Sequence, residues 1–328
     1  MKYTKEIESI TNTLLHKSNE VKSTGLYFGK AGLSLSLFIA SDSLQDEKTE
    51  DKAFQLLQES LVTINSNLSF ENGLAGIGYT LLYLIENKYV DADFDDIFKI
   101  QFHQLINTFN NIDKDPEKLL DSFQVIYFFS KVRNYKSKES DQLQAIIKKI
   151  FEGIELFLAL QFHDFTDVHY ITKKIFVLNI YKSYLKLVDY SGYSDFSRFL
   201  LDVFALLYRK GKIISSLETG YYLNRITNKH TIIGYEDVIS ANIDYGIKNI
   251  YPITLSMKER IDLAKIMYSI KNGVNKKDAN LSNIINFRLE SVTKILEKTK
   301  SSDFTSYGYS DGVARLLIFY VNKDVELL

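Results

Sequence analysis

The chain contains no cysteine and no tryptophan, and only two prolines, Pro116 and Pro252, in 328 residues. Without cysteine there is no disulfide framework, which fits a reducing compartment. With so few prolines, nothing interrupts long helices, and a mostly helical protein is expected. Neither sign of charge is in excess: 40 basic residues face 41 acidic ones. The basic footprint of a nucleic-acid-binding protein is therefore missing, and acidic runs such as "DADFDD" (91–96) read as solvated surface. No stretch approaches the roughly 20 apolar residues of a membrane span. The N-terminal "MKYTKEIESITNTLLHKSNEV" lacks an apolar signal core and reads as an amphipathic helix. The expectation is a cytoplasmic, soluble protein with no membrane span and no nucleic-acid partner.

What is present is hydrophobic and aromatic. Apolar residues make up 45% of the chain, and phenylalanine and tyrosine contribute 22 each. Large rings in such numbers suit a thick core between packed helices. The apolar residues recur at spacings of three and four, the helical period. Helices are predicted over 51–68, 141–162, 194–212 and 281–299. Strand-like runs such as "KIISSL" (212–217) are isolated and do not build a sheet. No Pro/Gly/Ser-rich linker divides the chain, so a single all-α domain over residues 1–328 is expected, with residues 1–24 as an N-terminal helix leading into it.

Glycine is the informative residue. Eight of the 15 glycines lie in three segments: "GLYFGKAGLSLSLFIA" (25–40), "NGLAGIGYTLLYLIEN" (72–87) and "YGYSDGVARLLIFYVN" (307–322). They are Gly25, Gly29, Gly32, Gly73, Gly76, Gly78, Gly308 and Gly312. In each segment spaced glycines precede an apolar helix, and a more polar helix (51–68) separates the first two. Alternating apolar inner and amphipathic outer helices predict a closed ring of helix pairs, each burying a face it could not bury alone. A glycine at the start of an inner helix allows a sharp bend and a close approach of backbones. It would also leave the first-turn N–H groups pointing into the ring. A phosphate-cradling loop is disfavoured, because no strand precedes the glycines and no GxxxxGK[ST] occurs.

"TGLYFGKAGLSLSLF" and "SFENGLAGIGYTLLYLIEN" resemble the first glycine repeats of the lanthionine synthetase C-like proteins, the lanthipeptide cyclases, and "SYGYSDGVARLLIFY" resembles their last repeat. The resemblance implies an α/α toroid of two concentric helix layers. It also implies a peptide substrate: family cyclases use zinc to activate a peptide cysteine, whose thiolate adds to a dehydrated serine or threonine. The middle of the chain departs from the pattern. "DSFQVIYFFSKVRN" (121–134) reads as a third inner helix without its glycines. In "DFTDVHYITKKIFVL" (164–178), His169 aligns with the family's acid/base histidine and Tyr170 replaces the glycine that follows it. In "SANIDYGIKNIYPI" (240–253), Tyr245 and Gly246 match a Trp-Cys-Tyr-Gly unit, but Asp244 stands where the first zinc-binding cysteine belongs. The counterpart of the Cys-His zinc pair, near "VNKKDANLSNIINFRL" (274–289), contains neither residue.

No zinc or other cofactor is therefore expected, since the soft ligands zinc needs are missing. One cluster, "HDFTDVH" (163–169), could present His163 and Asp167 on one helical face with His169 from the next turn as three metal ligands; a capped polar loop is the plainer reading. A glycosidase would need two carboxylates roughly 5–9 Å apart. Glu71, Glu218, Asp244 and Asp311 lie near predicted inner-helix starts, where acidic residues also suit the helix dipole. The leading expectation is a lanthionine synthetase C-like protein without a zinc site, which matures or recognises a ribosomally made precursor peptide through a cavity lined by Asp244, Glu71 and Asp311. The alternatives are a metal-independent cyclase or lyase, with His169 as general base and Tyr245 as proton donor, and a scaffold for a partner modification enzyme.

Overall fold

A computed structural model describes residues 3–62, 66–111, 119–120, 122–136, 140–163, 165, 171–249, 255–273, 296–297 and 307–321. Among these residues every regular element is a helix, the class to which an α/α toroid belongs. They sort into two compact units, residues 1–105 with 252–328, and residues 106–251.

The first unit holds α1 (Thr4–Lys17), α2 (Lys30–Leu44), α3 (Glu47–Val62), α4 (Leu74–Glu86), most of α5 (Phe94–Asn110), α12 (Met257–Gly273) and α13 (Val313–Val321). Two kinds of helix occur in it. The helix α2 is buried continuously from Ala31 to Ser41, α4 from Leu74 to Leu82 and α13 from Val313 to Tyr320. A helix apolar on all sides has to lie inside. Its few hydroxyls are satisfied internally: Ser34 donates to the Ala53 carbonyl (2.8 Å) and Thr80 to Gly76 (3.0 Å). By contrast, α3 buries only one stripe, Thr49, Ala53, Leu56, Leu57 and Ser60, along α2. It starts at Asp46, whose carboxylate accepts from the Lys48 N–H (3.2 Å) and the Thr49 hydroxyl (2.6 Å). That start lies ahead of the predicted residue 51, and residues 66–68 are not helical.

The second unit holds α6 (Val125–Tyr135), α7 (Ser140–His163), α8 (Ile171–Ser191), α9 (Arg198–Arg209), α10 (Leu217–Lys229) and α11 (Glu236–Lys248). Here α6 is the predicted glycine-free inner helix, buried from Val125 to Ser130. The helix α7 matches the prediction to within a residue at each end. The prediction for α9 was too long at both ends. Residues 194–197 are irregular, and the helix closes at Gly211, whose φ of +67° lets its N–H reach Tyr208 O (2.9 Å) while the Lys212 N–H bonds Leu207 O (3.0 Å). Aromatic rings fill the core as expected: Phe151 stacks on Tyr193 at 4.3 Å and Tyr181 on Phe204 at 4.7 Å. The run 212–217 forms no strand and leads into α10. Of the predicted helix 281–299, only residues 296–297 are described, and they are helical.

Candidate functional site

The three glycine segments form one structural repeat in strict register. Leu26 O lies 1.9 Å from where a Cβ on Gly32 would stand, and Phe70 O lies 2.0 Å from the equivalent point on Gly76. Each glycine also faces the neighbouring repeat, Gly32 against Tyr309 Cβ (2.7 Å) and Gly76 against Leu26 Cβ (2.8 Å). This equates Leu26, Phe70 and Tyr309, and hence Gly29, Gly73 and Gly312. Hydrogen bonds repeat the pattern: the Ser310 N–H donates to Tyr27 O (3.2 Å), and the Tyr27 N–H donates to Glu71 O (2.7 Å). The turns at 307–312, 25–29 and 69–73 are thus successive rungs of one ladder.

The first-turn amides behave differently from expectation. In α2, Lys30, Ala31 and Gly32 donate to Ser23, Thr24 and Gly25 carbonyls at 2.9, 3.2 and 3.4 Å. In α4, Leu74 donates to Asn67 (2.8 Å). The preceding loop folds back over seven residues and takes these donors, so they do not point free into a ring.

The ladder carries Glu71 and Asp311 on its two outer rungs, both exposed. Asp311 is also structural, because its Oδ1 accepts the Lys258 N–H (2.6 Å) at the start of α12. Between them Tyr27 is buried, and its phenol is pushed far up, chiefly by burial, with Arg315 opposing and Glu71 adding to the shift. Asp244 and Tyr245 sit in the second unit, on the exposed side of α11. They do not precede a helix: residues 244–246 are in the last turns of α11, where Gly246 packs against the Leu217 backbone. The inner-helix start expected near Asp244 is therefore not formed there. His169 and Asp167 lie outside the described residues, while His163 ends α7. Glu218 is paired with Lys182 at 2.6 Å.

One carboxyl was not picked out from sequence. Glu155 of α7 accepts from the Tyr184 hydroxyl of α8 (2.6 Å) and from the Ser197 N–H at the start of α9 (2.9 Å). Burial raises its pKa, and the two hydrogen bonds pull the other way. It sits beside the apolar stripe of α7, so periodicity carries only a faint signal of its partners.

The chain has no cysteine, and among the described residues no three His, Asp or Glu side chains gather closely enough to hold a metal ion. Compared with known proteins, residues 1–152 match the family model described as lanthionine synthetase C-like protein. No curated protein and no solved structure matches the chain. The matched span includes the first two glycine turns, and the structure places a third turn of the same register at 307–312, beyond it.

Proposed function

We propose that this chain, whose residues 1–152 match the lanthionine synthetase C-like family model, is a member of that family and takes part in maturing or recognising a ribosomally synthesised peptide without itself performing zinc-dependent cyclisation. The observation that carries this reading is the pairing of an intact glycine-turn ladder with a donor set that cannot reproduce a thiolate zinc site. The ladder presents exposed carboxylates, Glu71 and Asp311, with the half-buried Phe28 ring on the rung between them, groups suited to a peptide bearing basic and apolar side chains. Asp244 and Tyr245, exposed on α11, are proposed as further peptide contacts. The cytoplasm is the proposed location, where a precursor peptide is made; no helix among the described residues is long and apolar enough to cross a membrane.

The test uses a dehydrated precursor peptide carrying free cysteines, mixed with the full-length protein in excess chelator. Binding by calorimetry with no loss of free thiol is expected, and Glu71→Gln should weaken it several-fold. Absence of binding would sink the proposal. Thiol consumption that His169→Asn or Tyr245→Phe abolishes would replace it with metal-independent cyclisation.

A further inference from the structure

The third rung departs from the first two at one position. Where they carry Gly32 and Gly76, it carries Arg315, which is fully buried on α13. Its guanidinium is held by a set of contacts with α12. Nη2 donates to Asp262 Oδ1, and the other Asp262 oxygen accepts from Lys258 Nζ (2.7 Å). The guanidinium carbon lies 5.9 Å from the centroid of the Tyr309 ring. Asp311, four residues before Arg315, accepts the Lys258 N–H (2.6 Å). The segment 258–262 is thus tied to 309–315 by directed polar contacts where the other rungs use close backbone packing.

We infer that Arg315 and Asp262 form a register latch that holds α12 on the last glycine rung in one alignment. The apolar face of α12 is Ile261, Ala264, Ile266 and Met267, side chains that pack without strong direction. Sliding α12 by four residues would bring Lys258 or Ile266 to the place of Asp262. Either would leave a buried cation unpaired, and an uncompensated buried charge is among the most destabilising defects known. A buried polar pair that selects one register over others of similar apolar content is the best-attested use of such groups. The latch also fixes the Asp311 carboxylate on the α12 amide, whichever ligand the ladder takes.

The chain has no cysteine of its own, so spin labels can be placed uniquely. Asp42→Cys on α2 and Tyr268→Cys on α12, both exposed and in the same unit, report the alignment by electron–electron distance measurement on the full-length protein. With the latch intact a single narrow distance distribution is expected. In Asp262→Leu/Arg315→Met, where the buried cation and its anion are both gone and only the half-exposed Lys258 ammonium loses a partner, the protein should fold, and the distribution should broaden at least twofold or split. Asp262→Leu alone, which leaves the buried Arg315 guanidinium without its carboxylate, should fold poorly and be rescued by Arg315→Met. A narrow, unchanged distribution in the double variant would overturn the latch, because apolar packing alone would then set the register. Failure of the double variant to fold would overturn it too, since the pair would then supply stability and not register.

Discussion

At the scale of single residues, the absence of a Cβ decides most. Glycine inside a helix costs roughly 1 kcal/mol relative to alanine, yet at 32 and 76 a Cβ would meet a carbonyl oxygen at 1.9 and 2.0 Å. No real Cβ tolerates such contacts, and the neighbour is backbone, which cannot rotate away. Gly32→Ala and Gly76→Ala should therefore each destabilise by about 3 kcal/mol or more, the upper end of overpacking costs, seen as a lowered urea midpoint. A loss below about 1 kcal/mol at either position would contradict the ladder geometry. These glycines were legible in the sequence because their spacing recurs. Arg315 was not, since its role depends on Asp262, 53 residues away. The choice of Asp244 and Tyr245 rested on a short motif match, and a motif read without its local conformation cannot distinguish a turn from the end of a helix.

At the scale of elements, Glu155 ties α7 to α8 and to the start of α9. Its folded pKa is raised above the ordinary 4.5. A group that holds its proton more tightly when folded contributes stability that is full below the unfolded pKa and lost as pH rises through the folded one. Stability measured by denaturant should therefore fall from about pH 4.5 upward through this carboxyl, with Glu152, Asp195, Tyr184 and Tyr193 as its electrostatic neighbours. Glu155→Gln keeps the acceptor oxygen and removes the titration, so its advantage over the native protein should grow as pH rises through that window. Glu155→Ala leaves the Tyr184 hydroxyl without its acceptor and the Ser197 N–H with only its longer bond to Tyr184 Oη (3.3 Å), and should cost about 1–3 kcal/mol. A Glu155→Gln profile parallel to that of the native protein would refute the assignment. The helices themselves read well from sequence: α7 by its unbroken 3–4 periodicity, and α2 and α4 by an apolar run after a glycine turn. Their ends read less well, because caps such as Asp46 and Gly211 act through local geometry that periodicity does not record.

At the scale of the whole molecule, one domain over residues 1–328 remains our proposal, and it predicts one calorimetric unfolding transition. A chelator should leave that transition where it is, and the purified protein should carry no stoichiometric zinc by elemental analysis. Two resolved transitions would overturn the single domain; a chelator-sensitive midpoint with bound zinc would overturn the metal-free reading.

By itself the sequence determined the helical class, the repeating glycine turns and the lack of thiol ligands, because periodicity, spacing and composition are local properties of the chain. Only the tertiary structure decided the register of the rungs, the burial of Arg315 against Asp262 and the three-helix grip of Glu155. Each of these pairs groups far apart in the chain, and their energies exist only once folding has removed water from between them.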